Sequence, residues 1–324
     1  MKDLRNKEAI LEVAKGSIIA QSEALKFMAN AVDSSFSEAV ELIFNSQGRV
    51  VITGIGKSAI IANKIVATLN STGTPSIFMH AADAIHGDLG LVQDHDIVIC
   101  ISKSGNTPEI KVLTPLLKRT GNPLIAITGN PKSFLGKNAD FVFNSYVEKE
   151  VCPNNLAPTT STTAQLVFGD ALAVCLLNLR NFDEKDFAKY HPGGALGKKL
   201  FLTVKDLVEQ NEKPSVALNS PVKDVIVEIS KKRLGMTAVA QDGKILGIVT
   251  DGDLRRMLAK TNDISALTAS NIMTPNPKVI HAQTLAVEAM KEMESHEISQ
   301  LLVIDNDSYA GVVHIHDLIR EGIL

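Results

Sequence analysis

The stretch Ile97-Val98-Ile99-Cys100-Ile101-Ser102-Lys103-Ser104-Gly105-Asn106-Thr107-Pro108-Glu109 constrains the chain more than any other. Its first five residues are apolar and mostly β-branched, which predicts a short buried strand. A loop of hydroxyls and a glycine follows. Thr107-Pro108-Glu109 then opens a helix, with a capping hydroxyl, Pro at the first helical position and a carboxylate in the first turn. Strand, hydroxyl-rich loop and helix N-terminus together form a place that holds an anion. Free backbone N–H groups and the positive end of the helix dipole converge there, and Ser or Thr hydroxyls add donors. Taken alone, the segment is also an ordinary capped connection. The rest of the chain separates the two.

Strands and helices alternate around this stretch. Apolar runs predict strands at Arg49–Thr53, Ser76–Met79, Asp96–Ile101, Pro123–Thr128 and Phe141–Phe143. Helical spacing predicts helices at Ser58–Leu69, Thr107–Arg119 and Thr160–Leu179. Continuously apolar strands separated by helices imply an α/β fold, a doubly wound parallel five-stranded sheet covered on both faces. In such sheets the ligand sits at the C-terminal strand ends. Ahead of the sheet, Leu4, Ile10, Leu11, Val13 and Ala14, then Leu25, Phe27, Met28 and Val32, predict two helices broken near Asp33-Ser34-Ser35. That segment is short and not basic, so packing or oligomerisation is expected of it rather than DNA binding.

Past Leu200 the character changes. Val204–Pro214 reads as a charged linker, and after it the chain repeats itself. Ile245-Leu246-Gly247-Ile248-Val249-Thr250-Asp251-Gly252-Asp253-Leu254 is echoed by Tyr309-Ala310-Gly311-Val312-Val313-His314-Ile315-His316-Asp317-Leu318. A unit of about 60 residues present twice is too few copies for a solenoid and indicates a paired module. The expected boundaries are 1–203 for the sheet domain, then 204–266 and 267–324 for the two repeats.

Composition removes several function classes. With 324 residues there is ample core for a large domain and a smaller one. A net charge of −3, no Trp and three Tyr give neither a basic footprint nor a stacking surface for nucleic acid. Three scattered cysteines form no metal spacing or disulfide framework and point to a reducing compartment. No apolar signal follows Met1-Lys2-Asp3-Leu4-Arg5-Asn6-Lys7, and Leu166–Leu179, interrupted by Asp170, is too short to span a bilayer. The expectation is a cytoplasmic protein with no membrane or nucleic-acid partner.

Several segments carry chemistry. Thr53-Gly54-Ile55-Gly56-Lys57-Ser58 lacks the first glycine of a Walker A loop, where Val51 stands. It meets a dinucleotide fingerprint only nominally, because the second strand ends Phe78-Met79-His80 without an acidic partner for a ribose. What remains is a glycine turn that brings Lys57 to a helix N-terminus. His86-Gly87-Asp88 offers an imidazole with a ligand, metal or structural role. Pro158-Thr159-Thr160-Ser161-Thr162-Thr163 follows Glu148-Lys149-Glu150; five hydroxyls exceed what capping uses and predict a second wall of a phosphate or sugar pocket. Tyr190-His191-Pro192-Gly193-Gly194 is a glycine-rich turn that lies after the sheet domain and is free to reach a neighbouring subunit. Two carboxylates, an imidazole, an ammonium and two hydroxyl loops suit acid–base chemistry on a phosphorylated, hydroxylated substrate.

Gly54-x-Gly56-Lys57-Ser58, Ser102-x-Ser104-Gly105-x-Thr107-x-Glu109, Thr159-Thr160-Ser161-Thr162-Thr163 and His191-Pro192-Gly193-Gly194 together resemble a sugar isomerase (SIS) domain, and the repeats resemble a tandem CBS pair. In that order the chain is similar to the D-arabinose-5-phosphate isomerase family over essentially its whole length. The resemblance implies a homotetramer that interconverts D-ribulose 5-phosphate and D-arabinose 5-phosphate, toward Kdo for lipopolysaccharide. It implies functional positions at Lys57, His86, Glu109, Glu150 and His191. Phosphate binding falls on Ser102, Ser104 and Thr107, with Gly56, Ser58, Asn106, Thr159, Thr160, Ser161 and Thr162 as neighbouring substrate contacts. Nucleotide contacts of the CBS pair would fall on Thr250, Asp253 and Asp317, but His314 stands where Thr250 stands in the first repeat. That departure counts against adenosine binding in the second half-site.

The mechanism expected is a metal-free, cofactor-free enediolate isomerisation. Glu150 is favoured as the base because Glu109 sits in a first turn where the dipole already stabilises its charge, with exchange of the two roles as the alternative. Lys57 stabilises the oxyanion, and His191, from a neighbouring subunit, moves the hydroxyl proton or assists ring opening. His86 and His191 form a candidate site for an inhibitory transition metal. The alternatives are a non-catalytic sugar-phosphate sensor and an isomerase of another sugar phosphate. The CBS pair has three readings: it takes a nucleotide or CMP-Kdo effector, it stabilises the oligomer, or it does both.

Overall fold

Short β-branched runs in the first half of the chain pair side by side into one parallel sheet. The computed structural model describes residues 6–261 and 263–323, so Leu4 lies outside the described residues. It separates into two units, one ending at Tyr190 and the other beginning at His191. In the first unit β1 (Val50–Gly54), β2 (Ser76–His80), β3 (Ile97–Ile101), β4 (Leu124–Thr128) and β5 (Phe141–Asn144) lie in the order 2-1-3-4-5. Every pairing is parallel.

Eight α-helices and one 3-10 turn (Asp88–Leu91) accompany the sheet among the described residues: α1 (Lys7–Ala29), α2 (Ser34–Asn45), α3 (Lys57–Ser71), α4 (Ala81–Ala84), α5 (Pro108–Arg119), α6 (Phe134–Asn138), α7 (Thr160–Leu179) and α8 (Glu184–Tyr190). Successive strand residues point to opposite faces, which fills two cores at once. Ile97, Ile99 and Ile101 pack with Phe36, Ile65, Phe168 and Leu172 of α2, α3 and α7. Val98 and Cys100 pack with Ile110, Leu113 and Leu117 of α5. This two-sided burial is why the strands read as unbroken apolar runs.

Helix α7 runs for 20 residues and, by length and hydropathy alone, would suffice to cross a bilayer. It is instead a core helix: Ala164, Phe168, Leu172 and Leu176 are buried against the sheet. Asp170, the interruption in its apolar run, forms an ion pair with Lys64 of α3. Helix α1 buries only Met28 and leaves Ile10, Leu11, Ile18, Ile19 and Phe27 more than half exposed.

The second unit starts with α9 (Ala195–Phe201) and α10 (Val204–Val208). The first repeat then contains β6 (Ser215–Val216), α11 (Val222–Lys232), β7 (Met236–Gln241), β8 (Lys244–Thr250) and α12 (Asp251–Leu258). After α13 (Ala269–Ile272) and β9 (Thr274–Pro275) come β10 (Val279–His281), α14 (Ala286–Ser295), β11 (Gln300–Asp305), β12 (Ser308–His314) and α15 (Ile315–Arg320). The repeats form sheets of order 6-7-8-9 and 10-11-12. Met236 and Ala238 from the first join Leu302, Tyr309 and Val312 from the second in one core.

The reading of Val204–Pro214 as a linker is corrected over its first five residues. Val204, Leu207 and Val208 lie on one helical face and are buried in the core of the second repeat, with Ile280, Ala289 and Leu318. Lys205, Asp206 and Glu209 on the other face give the segment its charged look. Helix α13 does the same in reverse, placing Ala269 in the core of the first repeat. Each repeat is thus completed by the segment that precedes the other one.

Candidate active site

The sheet order reverses between β1 and β3, and in doubly wound sheets that reversal opens a crevice at the C-terminal strand ends. The loops that leave these two strands lead into α3 and α5. Neither helix starts with a side-chain cap, and neither does α7. By contrast α1, α2 and α6 are capped by the side chains of Asn6, Asp33 and Ser133. Gly56 begins α3 at φ 57 and ψ −128, a conformation that favours glycine and turns the chain so that Lys57 is the first helical residue. Ser58 donates to Gln165 of α7 at 3.1 Å, which holds the N-termini of α3 and α7 at the same end of the unit.

The β3–α5 loop is built by its own polar groups. Ser102 Oγ accepts from the Gly105 amide at 3.1 Å, and Ser104 Oγ from the Asn106 amide at 3.2 Å. Asn106 is committed within the protein: its amide nitrogen donates to Ser104 O at 3.2 Å and its Oδ1 accepts from Phe134 N at 2.9 Å. Gly105 has φ 63, and a Cβ there would lie 2.0 Å from Ser133 Oγ. Thr107 Oγ1 is buried with no partner among the described residues, and it does not cap α5. The α5 N-terminus therefore offers open first-turn amides beside an unused hydroxyl, which is what an anion requires.

The α7 N-terminus is already occupied, by Glu150. Its carboxylate is fully buried and accepts five hydrogen bonds. Oε1 takes Lys103 Nζ and Ser161 Oγ, each at 2.5 Å. Oε2 takes the Thr159 amide at 2.8 Å, Thr159 Oγ1 at 3.1 Å and the Ser161 amide at 3.1 Å. Burial alone would push this carboxyl up, but the Lys103 ammonium, the Ser161 hydroxyl and the amides of Thr159 and Ser161 outweigh it and bring the pKa down to about 2.

The hydroxyl run is used largely inside the protein. Thr159 and Ser161 bind Glu150. Thr162 donates to Thr159 O at 2.8 Å, and Thr163 to Gln21 Oε1 at 2.7 Å. Only Thr160 Oγ1 is buried without a partner among these five. The surplus over one cap therefore goes mainly to holding Glu150 and locking α7 to α1.

Lys57, His86 and Glu109 differ from Glu150 in having no side-chain partner among the described residues. Lys57 and His86 are exposed and Glu109 is half-buried in the first turn of α5. His86 follows β2, whose last residue pairs with Gly54, so its loop neighbours the one carrying Lys57. His191 opens the second unit in a turn closed by Gly194 N donating to its carbonyl at 3.1 Å. Among the described residues, no group of three His, Cys, Asp or Glu is spaced to hold a metal ion. Lys103 is the residue that the sequence did not single out; only its position between Ser102 and Ser104 hinted at it.

In the second unit, Thr250 and Asp253 form a capping box at α12. Asp253 also accepts from Arg256 at 2.5 Å and from Thr274 at 3.2 Å. His314 and Asp317 form the matching box at α15, with His314 Nδ1 accepting from His316 N at 3.0 Å. The histidine thus performs the capping that Thr250 performs in the first repeat. Asp317 further accepts from Asn211 at 2.6 Å. Between the repeats, Arg233, Asp251, His314, His316 and Arg320 line a cleft of about 710 Å³.

Family comparisons agree with this architecture. The SIS domain matches residues 43–175, and the CBS domain matches 204–260 and 269–323. Fold and site together define a SIS-domain protein with an appended CBS pair. Arabinose 5-phosphate isomerase KdsD of Francisella tularensis is 47% identical over 92% of this chain and 93% of its own length. The protein of that name from Pseudomonas aeruginosa is 45% identical over 96% of each. The chain belongs to the arabinose 5-phosphate isomerase family. Among solved structures, the c3406 protein of E. coli CFT073 in complex with arabinose 5-phosphate is 41% identical with a TM-score of 0.56, over 58% of this chain and all of that one.

Proposed function

We propose that the chain interconverts D-ribulose 5-phosphate and D-arabinose 5-phosphate through an enediolate, supplying Kdo synthesis for lipopolysaccharide. The observation that carries this reading is the uncapped start of α5 with the orphaned Thr107 hydroxyl, beside the uncapped start of α3 that carries Lys57. The phosphate docks on Ser102, Ser104 and Thr107, with Ser58 and Thr160 close to the same helix starts. Lys57, with no side-chain partner among the described residues, takes the developing oxyanion.

The base is Glu109 rather than Glu150. A carboxylate with pKa about 2 and five donors is a poor proton acceptor, because each bond must weaken as it protonates. Glu109 has no side-chain hydrogen bond among the described residues to give up, and the dipole effect that argued against it is worth at most about 2 kcal/mol. Glu150 serves as the fixed anion of α7. His191 acts from a neighbouring subunit of a homotetramer, and the exposed apolar face of α1 supports association. The three free cysteines agree with a cytoplasmic location. Along the sequence the domains are taken as 1–203, 204–266 and 267–324, although α10 and α13 each pack in the other repeat's core, and the cleft between the repeats is the place for a nucleotide or CMP-Kdo effector.

The test is turnover of D-ribulose 5-phosphate in D2O with excess EDTA, followed by proton NMR. Arabinose 5-phosphate should appear with deuterium at C2, and Glu109→Gln should slow it about a thousandfold. No exchange and no product would refute the isomerase reading; an undiminished Glu109→Gln would refute the base.

A further inference from the structure

We propose that Lys103 is a positioning residue of this site: its ammonium compensates the buried Glu150 charge so that the adjoining β3–α5 loop accepts an anionic substrate. The inference rests on the isomerase reading of that loop. Lys103 stands between Ser102 and Ser104, and its carbonyl accepts from Gly129 N at 3.0 Å, which fixes its backbone. From there Nζ reaches Glu150 Oε1 at 2.5 Å. The carboxylate therefore lies within one lysine side chain of the groups that would hold a phosphate.

Glu150 also absorbs the amides at the start of α7, so that helix has little positive potential left for a second anion. A phosphate dianion entering the β3–α5 loop would meet a full negative charge in a poorly solvated place, where repulsion is strong. Lys103 is the only cation paired with Glu150 among the described residues. Its own side chain is 47% exposed. Its ammonium end stays within reach of solvent, so besides holding the buried Glu150 it lowers the negative charge the substrate meets. Lys57 stays free for the oxyanion because this charge is dealt with by a different residue.

The test is steady-state kinetics of the full chain on D-arabinose 5-phosphate, with calorimetric titration of the same compound. Lys103→Met should raise KM and Kd about tenfold or more while kcat stays within about threefold, since tenfold corresponds to one like-charge contact weakened by screening. Lys103→Gln should repeat that result in a polar side chain, and Lys103→Arg, which keeps the charge, should restore wild-type KM. Adding Glu150→Gln to Lys103→Met should recover most of the lost affinity, because the charge that needed compensation is gone. An unchanged KM in Lys103→Met overturns the proposal. A raised KM that the double variant does not recover also overturns it, since Lys103 would then act only on the shape of the loop. A wild-type protein that binds the sugar phosphate without turning it over would defeat the isomerase reading, and the same order of Kd values would still decide the role of Lys103.

Discussion

Replacing Glu150 by Gln removes one charge from a fully buried group and keeps its size. The carboxyl has an ordinary value of 4.5 and about 2 in the folded chain. At about 1.4 kcal/mol per unit, the ionised form is favoured by about 3 kcal/mol over a neutral one in this setting. Glutamine is such a neutral group. Its amide nitrogen would also face donors, either Lys103 and the Ser161 hydroxyl or the amides of Thr159 and Ser161. Lys103, half exposed, is rehydrated at little cost. The folded value is depressed, so the stabilisation is complete above about pH 4.5 and is lost as pH falls toward 2; roughly half is gone by pH 3. Urea unfolding at fixed protein concentration should show Glu150→Gln about 3 kcal/mol less stable at pH 7, with the gap narrowing by roughly half at pH 3. A gap below about 1 kcal/mol at pH 7, typical of an exposed ion pair, would refute the reasoning. So would a gap that does not change with pH.

Other outcomes follow from single contacts. Gly105→Ala should lower both stability and substrate affinity, because its Cβ would fall 2.0 Å from Ser133 Oγ at φ 63; unaltered melting and KM would contradict the crowding. Gly169→Ala, with its Cβ 2.3 Å from Ile65 Cγ1, should cost about 1–3 kcal/mol in chemical denaturation and leave KM alone. Toward a thiol reagent at pH 8, Cys152 should react first and Cys100 last in the native protein. Backbone N–H groups of Ala157 and Leu156 lower the Cys152 thiol, while burial pushes Cys100 up to about 12; mass spectrometry reads the order. Tyr309→Phe should destabilise the second unit by about 1 kcal/mol, since Pro214 O loses the phenol that donates to it at 2.7 Å and keeps only Ala238 N at 3.2 Å. Thermal melting of the variant would check it.

The sheet was legible because its signal is local and repeated. Ile97–Ile101 and residues 124–127 are buried on both faces, so every residue had to be apolar, and the intervening helices carry their own spacing. The β3–α5 loop proposed to hold the phosphate was legible for a similar reason: Ser102, Ser104, Gly105, Thr107 and Pro108 lie in one segment whose chemistry needs no distant partner. Three features escaped because they depend on contacts that no local pattern announces. Val204–Val208 looked like a linker until the core of the second repeat supplied its apolar neighbours, some 75 or more residues later. The hydroxyls of Thr159 and Ser161 looked like surplus until Glu150 claimed them. Lys103 looked like a spacer until folding brought it to a carboxylate 47 positions on. Periodicity and helix-start chemistry thus determined, from the sequence alone, the five strands of the parallel sheet and the long helices that cover it. That Glu150 is enclosed by five donors was decided by tertiary structure alone, because a carboxyl's basicity depends on the donors that surround it in space.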